Sequence, residues 1–333
     1  MLLAGDVGGT KTILALYDGG LEGLPASILR EETYPSAGYG SFEDIVKDFL
    51  RDESELLDAA CFGVAGPVVD GRCQTTNLPW LIDERRLMPL LGISKVKLLN
   101  DLQAMALGLL WLRSDEWVEL NPRAVPATGN RAVIAAGTGL GQAVLYWDGH
   151  LYHALATEGG HGDFAPNNTM EDGLLVYLRN KFGGHVSYER ILSGPGIVNV
   201  YEYLRDINYA PESPELAGAI KRAEDPAREI TTHALHRGDA LCRGTLALFA
   251  RIFGAEAGNL ALRCFATGGV LVGGGIAPKV LPALQDGHFM QGFCAKGRLS
   301  EFLCAVPVRV ALNFHTGLIG AADFAARMLL EKS

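Results

Sequence analysis

The first turn of this chain gathers groups that hold a phosphate. Gly5-Asp6-Val7-Gly8-Gly9-Thr10-Lys11-Thr12 offers backbone N–H groups, a hydroxyl, an ammonium and one carboxylate. The N–H groups and Lys11 suit phosphate oxygens, and Asp6 suits a magnesium ion or its waters. Gly5-x4-Thr10-Lys11-Thr12 approaches the P-loop pattern GxxxxGK(S/T), with Thr10 where the second glycine belongs. A P-loop opens a helix, whereas Ile13 to Tyr17 reads as a strand, so the segment is a glycine-rich hairpin turn. Alone, it would be hard to tell from any other hairpin turn. Two further clusters accompany it. Gly137-Thr138-Gly139-Leu140-Gly141 is an uncharged turn that does not match GxGxxG, and Gly268-Gly269 with Gly273-Gly274-Gly275 would let a flat purine lie against backbone. Three such clusters spread through one chain are more than packing explains.

The polar clusters are more specific. Val96 to Asn100 reads as a strand whose end presents Asn100-Asp101, and open α/β sheets bind ligands at the carboxyl ends of their strands. Asp101 serves either that chemistry or as the N-cap of the following helix. Thr157-Glu158-Gly159-Gly160-His161-Gly162-Asp163-Phe164-Ala165-Pro166 holds two carboxylates and an imidazole among glycines, with no helical period to bury them. No Cys or second His stands at ligand spacing, which disfavours zinc. Hydrogen bonds to sugar hydroxyls fit better, because each hydroxyl both donates and accepts. Ser187-Tyr188-Glu189-Arg190, ahead of Leu192-Ser193-Gly194-Pro195-Gly196, adds Glu189 as an acceptor, or as a charge on a surface helix.

These groups need strands and helices to place them. Residues 2–17 read as a hairpin with its turn at Gly5 to Thr12, ending in Asp18-Gly19. The pattern returns 130 positions later: Ala132 to Ala136, a turn from Gly137 to Gln142, and Ala143 to Trp147 ending in Asp148-Gly149. In that register Gly9 matches Gly139 and Leu14 matches Val144, which suggests a duplicated α/β unit unless the likeness is chance. Ala59 to Val64, Val96 to Asn100, Gly268 to Gly275 and Val306 to Leu312 are further strand candidates. Helices are expected over Phe42–Arg51 after Ser41, over Asp101–Leu112, Thr169–Phe182, Asp239–Phe265 and Thr316–Leu330. Strands alternating with helices make an α/β fold. Arg205 to Arg228, rich in Pro and charge, reads as a surface connection.

Composition removes whole classes of function. The 29 Lys+Arg against 38 Asp+Glu leave a net charge of −9, so nothing draws the chain to nucleic acid or an anionic membrane. The longest uncharged stretch, Ala132 to Trp147, falls short of the ~20 apolar residues that span a bilayer. Asp6 stands where a signal peptide would have its apolar core. Cys61, Cys73, Cys242, Cys264, Cys294 and Cys304 form no CxxC pair, so reduced cysteines in a cytoplasmic protein are expected. At 333 residues, two domains are expected.

Taken in order, Gly5-Asp6-Val7-Gly8-Gly9-Thr10, Leu99-Asn100-Asp101, Gly137-Thr138-Gly139-Leu140-Gly141, Glu158-Gly159-Gly160-His161-x-Asp163-Phe164-Ala165-Pro166, Glu189-Arg190-x-Leu192-Ser193-Gly194-Pro195-Gly196 and Gly273-Gly274-Gly275-Ile276 closely resemble the bacterial-type glucokinases. These belong to the hexokinase/actin-like ATPase superfamily, and the resemblance runs through nearly the whole chain. It implies two ribonuclease-H-like (actin-like ATPase) α/β domains with a cleft between them. They would be a small one over 1–112, rejoined by the C-terminal helix 314–333, and a large one over 113–313. It also implies that Asn100, Asp101, Glu158, His161 and Glu189 hold glucose, with Asp101 as catalytic base. ATP would lie on Gly5, Asp6, Gly8, Gly9, Thr10, Lys11 and Thr12, on Gly137, Thr138 and Gly139, and on Gly273, Gly274 and Gly275. Mg²⁺ would meet Asp6 through water. The zinc-binding cysteine cluster of the related ROK kinases has no counterpart after His161, so no zinc is expected. Arg205–Arg228 has no counterpart either. A homodimer in the cytoplasm is what the resemblance suggests.

The reaction expected is ATP + D-glucose → ADP + glucose 6-phosphate. Two other readings compete: a kinase for another hexose or an N-acetylhexosamine, and a sugar sensor without turnover. The sensor reading would need a DNA-binding module, and the chain shows no basic helix-turn-helix.

Overall fold

Apolar runs bounded by glycine and charge become covered strands here, and the helices between them start at short polar side chains. The computed structural model describes residues 1–18, 27–53, 55–75 and 78–330. It divides into two units. The first comprises Met1–Glu116, Leu151–Ala156 and Asn313–Ser333; the second comprises Trp117–His150 and Thr157–Leu312.

In the first unit β1 (Leu2–Val7), β2 (Lys11–Tyr17), β3 (Ile28–Pro35), β4 (Ala59–Val64) and β5 (Val96–Asn100) form a sheet in the order β3-β2-β1-β4-β5. β2 lies antiparallel between β1 and β3, while β4 and β5 continue parallel to β1. In the second unit β6 (Arg131–Ala136) and β7 (Leu140–Trp147) form an antiparallel hairpin, and β8 (Gly269–Gly273) and β9 (Val308–Ala311) continue parallel to β6. A short strand, Trp117–Glu119, runs antiparallel beside β9. Both units therefore hold a hairpin followed by two parallel strands in the same order.

The repeat is real, but its register slips. Leu14 faces Gly5, whereas Val144 faces Ala132 rather than Ala135, so the two arms of the hairpin do not keep one offset. The turns are also shorter than the sequence suggests. Gly5, Asp6 and Val7 belong to β1, Lys11 and Thr12 to β2, and Gly141 and Gln142 to β7. Backbone pairing reaches further into each glycine cluster than its turn-like composition implies. Gly19 lies outside the described residues.

The main helices are α1 (Phe42–Phe49), α2 (Asp101–Leu109), α3 (Thr169–Phe182), α4 (Gly194–Asp206), α5 (Pro214–Arg222), α6 (Pro226–Thr232), α7 (Ala240–Arg263) and α8 (Thr316–Leu330). Each start has a local cause. The Ser41 hydroxyl accepts from the Asp44 N–H at 3.2 Å, and Asn168 caps α3, which ends at Gly183 in the left-handed region (φ 74°). The expected connection from Arg205 to Arg228 is instead mostly helical. Ser213-Pro214 and Asp225-Pro226 each place a capping side chain before a proline in the first turn, and such prolines start helices as readily as they break them.

Alternate residues of β1 and β4, Leu3, Val7, Phe62 and Val64 among them, join Phe42 and Phe49 of α1 in one apolar cluster. α8 packs on β1, β4 and α2. A Cβ on Gly108 would stand 1.8 Å from the Thr316 carbonyl oxygen, and one on Gly320 would stand 1.7 Å from that of Ala104. α2 and α8 therefore touch backbone to backbone.

Alanine in place of either glycine gains ~1 kcal/mol of helix propensity but must push two helices apart. Overpacking costs ~1–3 kcal/mol, and here no flexible side chain can yield. Gly108→Ala and Gly320→Ala should each lower the urea midpoint of unfolding. A raised midpoint in either would show that the helices part at little cost.

Candidate active site

In the first unit the chemistry gathers where β1, β4 and β5 end. Asn100 closes β5 and caps α2: its Oδ1 accepts from the Leu102 N–H at 3.0 Å, and its Nδ2 donates to the Gly66 carbonyl at 3.1 Å. Gln103 Oε1 completes the capping box on the Asn100 N–H at 3.2 Å. The cap is thus Asn100, which corrects the alternative that gave this duty to Asp101. Asp101 is the first residue of the helix, half-buried, and its Oδ1 accepts from the Leu102 N–H at 2.9 Å. Gly63 lets this helix start lie close over the sheet, since a Cβ there would meet the Ala104 Cβ at 2.8 Å. The same empty slot lies 3.8 Å from Asp101 Cα and 3.8 Å from the Gly5 carbonyl oxygen.

The accessible part of this unit's glycine-rich turn is smaller than its motif. Gly5 is buried in β1, where a Cβ would strike Phe62 and Leu14. The Thr12 hydroxyl is buried 3.0 Å from that of Ser36, so neither residue offers anything to a ligand. Ser36 braces the turn further, donating from Oγ to the Gly8 carbonyl at 2.8 Å and from its N–H to that of Thr10 at 3.1 Å. Sequence reasoning missed this serine, which is distant in the chain and carries no motif. Gly8, Gly9, Thr10 and Lys11 remain partly or fully accessible.

In the second unit three separated motifs meet. The Gly137 N–H donates to the Gly139 carbonyl at 2.8 Å, and the Gly194 N–H donates to the Gly137 carbonyl at 2.9 Å. That bond brings the turn to the N-terminus of α4, whose N-cap is Ser193. Gly274 (φ 84°) lies so close that a Cβ would stand 2.4 Å from the Ala136 carbonyl oxygen, which accepts from the Ile276 N–H at 3.1 Å. Gly273 is a buried residue of β8. A cavity of about 1130 Å³ opens here, lined on one side by Gly137, Thr138, Gly194, Pro195, Gly275 and Ile276. Its other side holds Glu224, Asp225, Arg228, Thr232, His236 and Lys279. Sequence reasoning also missed that second wall, because half of it, Glu224, Asp225 and Arg228, lies in the segment that reads as a connection.

The predicted sugar ligands of this unit cluster beside that turn. Glu189 lies on a short 3-10 turn, Tyr188–Arg190, and its Oε2 accepts from the Leu140 N–H at 3.0 Å. Only glycine at 139 leaves it room: a Cβ there would stand 2.5 Å from that oxygen. Glu158 and His161 flank another 3-10 turn, Gly159–His161, with Oε2 and Nε2 4.0 Å apart and both side chains exposed. Gly160 packs on the Leu140 carbonyl, where a Cβ would stand at 1.9 Å. The Tyr188 N–H donates to the Gly162 carbonyl at 3.0 Å, tying the two segments together. Asp163 is held aside by His185 at 2.8 Å. Glu158, His161 and Glu189 thus converge on Leu140, while Asn100 and Asp101 belong to the first unit.

The glucokinase family model matches residues 3–328. The chain belongs to the glucokinase family. It is 42% identical over 341 aligned residues to the glucokinase of Nostoc punctiforme, covering 98% of this chain and 99% of that one. It is 41% identical to the glucokinase of Synechocystis sp., covering 98% of each chain. A crystal structure of a glucokinase from an Antarctic psychrotroph superposes with a TM-score of 0.81 at 29% identity, covering 98% of both chains. The fold is the α/β actin-like ATPase fold of these sugar kinases. Among the described residues no helix is long and apolar enough to cross a membrane.

Among the residues expected to meet ATP, Asp6 is the one carboxylate, so it is the side chain that could hold a cation. Its side chain lies against the start of α8, 3.1 Å from where a Gly317 Cβ would stand. Burial pushes its carboxyl above the ordinary carboxylate range, against the pull of Lys11 and then of His315. A carboxylate stripped of water gains from a nearby cation. No cage of three or more His, Cys, Asp or Glu side chains forms among the described residues. A lone carboxylate suits Mg²⁺, which usually keeps several waters and takes its other ligands from substrate phosphates.

The two glycines of the second unit should respond differently to substitution. Gly274→Ala forces a left-handed residue against backbone, so the KM for ATP should rise and the protein should lose ~1–2 kcal/mol of stability. Gly139→Ala meets only the end of a side chain. It should displace Glu189 and raise the KM for glucose with little loss of stability. Steady-state kinetics with both substrates varied checks the pair, and an unchanged KM for glucose in Gly139→Ala would contradict the reading of Glu189 as a sugar ligand held by that turn.

Proposed function

We propose that this chain transfers the γ-phosphoryl group of ATP to the 6-hydroxyl of D-glucose, giving ADP and glucose 6-phosphate, with Asp101 as general base. The observation that carries the residue assignment is the division of labour at the end of β5. Asn100 caps the helix, so the Asp101 carboxylate is not needed to start it. A carboxylate at the first turn of a helix keeps its charge readily, because the helix N-terminus favours anions.

Phosphoryl transfer asks mainly for positioning and charge neutralisation, since the transition state is loose. Asp101 accepts the 6-hydroxyl proton late in transfer, so an ordinary carboxylate is a strong enough base. Asn100 has a second Nδ2 hydrogen and a second Oδ1 lone pair beyond its cap and its bond to Gly66, and these meet the sugar. Glu158, His161 and Glu189 accept from and donate to ring hydroxyls. The N–H groups of Gly8 to Lys11 and of Gly137 to Gly139 cradle phosphates, and Gly274 and Gly275 border the adenosine in the 1130 Å³ cavity. Mg²⁺ beside Asp6 would neutralise charge on the phosphate oxygens. In this scheme residues 1–112 with 314–333 supply the base, and 113–313 supply the nucleotide cavity. The protein works in the cytoplasm as a homodimer, which sedimentation would show.

Asp101→Asn keeps size and a hydrogen-bonding group but accepts no proton, so kcat should fall ~10²–10⁴-fold with glucose affinity by calorimetry nearly kept. Because Asn100 is the cap, this variant should fold as well as the parent. Glu158→Ala removes an acceptor used in both ground and transition states, so KM for glucose should rise with a smaller change in kcat. Parental kcat in Asp101→Asn would reject Asp101 as the base.

Metal dependence separates this site from a zinc-containing one. Activity should disappear when Mg²⁺ is withdrawn and survive a zinc-selective chelator with Mg²⁺ in excess. Restoration only by added zinc would overturn the reading of His161 as a sugar ligand.

A further inference from the structure

Behind the exposed Glu158 and His161 lies a buried polar network made of residues outside the expected glucose and ATP ligands. Its centre is Glu256, fully buried in the middle of α7. Oε1 accepts from Gln142 Nε2 at 2.9 Å and from the Arg263 guanidinium at 2.9 Å, and Oε2 accepts from Asn259 Nδ2 at 2.8 Å. Asn259 Nδ2 also donates to the Tyr188 hydroxyl at 3.1 Å, and Asn259 Oδ1 accepts from Lys296 Nζ at 2.7 Å. All these residues lie in the second unit. Burying a carboxylate is a costly way to fill space.

Two arms run from Glu256 to the sugar-contact turns. A carboxylate only accepts, so Gln142 must give it the NH₂ end and point its carbonyl oxygen the other way. That oxygen finds no hydrogen-bond partner among the described residues and faces Gly159, where a Cβ would stand 2.3 Å from it. The main chain of Gln142 grips the same turn. Its carbonyl accepts from Thr157 Oγ1 at 3.0 Å, and that oxygen accepts from the Gly159 N–H at 3.2 Å. The second arm passes through Asn259 to Tyr188, the residue before Glu189. The Tyr188 ring meets Phe164 edge-on at 5.6 Å, and burial with the Glu256 charge pushes its hydroxyl pKa up, keeping it protonated.

We propose that Glu256 is a positioning residue for sugar recognition: its buried carboxylate orients Gln142 and Asn259, which set Gly159 beneath Glu158 and His161, and Tyr188 beside Glu189. This rests on the reading of Glu158, His161 and Glu189 as glucose ligands. A role confined to stability would alter unfolding without separating the two substrates.

The test compares Glu256→Gln, Gln142→Met and Tyr188→Phe in the full chain, with Glu158→Ala as reference. Glu256→Gln keeps the shape but adds a donor, so the Gln142 amide is no longer forced into one orientation. KM for glucose should rise about tenfold in Glu256→Gln and Gln142→Met, one hydrogen bond's worth, and less in Tyr188→Phe. KM for ATP should stay within about twofold, because the nucleotide cavity is untouched. Combining Glu256→Gln with Gln142→Met should be little worse than either alone, since both break one link. Unchanged glucose KM, or a parallel rise for both substrates, overturns the proposal. If Glu256→Gln does not fold, Gln142→Met and Tyr188→Phe, which leave Glu256 paired with Arg263, decide by the same split. If Glu158→Ala leaves glucose KM unchanged, the sugar-site reading falls and the proposal with it.

Discussion

The approach of α8 to α2 at Gly108 and Gly320 governs the first unit, because one candidate carboxylate opens α2 and the other packs from β1 against α8. Asp101 opens α2, and Asp6 lies against the first turn of α8 beside Gly317. Larger residues at the crossing would lift one helix from the sheet, moving either Asp101 with α2 or the start of α8 away from Asp6. The side chains around the crossing are small: Ala104, Ala106, Ala321, Ala322 and Ala325 are buried there. Alanines remove little apolar area from water, at roughly 25 cal/mol per Å², so this contact contributes position more than stability. The bulky side chains, Phe42, Phe49 and Phe62, are gathered in the cluster with α1.

The second unit repeats that device. A Cβ on Gly254 of α7 would stand 1.9 Å from the Phe289 carbonyl oxygen, and one on Gly292 would stand 2.0 Å from that of Arg251. α7 therefore lies backbone to backbone on the helix His288–Cys294. Close packing fixes α7 in translation, and Glu256, two residues beyond Gly254, inherits that precision. A buried charge on a loosely packed helix could not hold two amide side chains to one geometry.

Much of the fold was legible, and the reason is local. Ala59–Val64, Val96–Asn100, Thr169–Phe182 and Thr316–Leu330 coincide with their sequence-derived bounds, because each is an apolar or amphipathic run between clear breakers. Arg205–Arg228 was not legible, since Pro after Ser or Asp marks a helix start as well as a turn. In the candidate site, the irregular segments rich in glycine and carboxylate were legible as such, as at Gly137–Gly139 and Glu158–His161. Which glycines serve ligand and which serve packing was not. Gly5 and Gly273 sit inside strands, and only the neighbouring strand or side chain shows it. Ser36 and Glu256 were invisible for the same reason: one lies outside any motif, the other in the apolar period of a long helix.

The two hairpins share a topology and differ in charge, and that difference follows from what each turn can recruit. The first carries its charged groups, Asp6 and Lys11, on its own strands. The second, Gly137-Thr138-Gly139, has no charge of its own. It takes a carboxylate from Glu189, fifty residues on, and a helix N-terminus at Gly194, both held by single backbone hydrogen bonds to the turn. Recruitment of this kind needs a scaffold that places those two groups together, which is what the Tyr188–Gly196 segment does in one pass. It also couples the turn to Glu189, which cannot shift without releasing the Leu140 N–H. A self-sufficient turn has no such link.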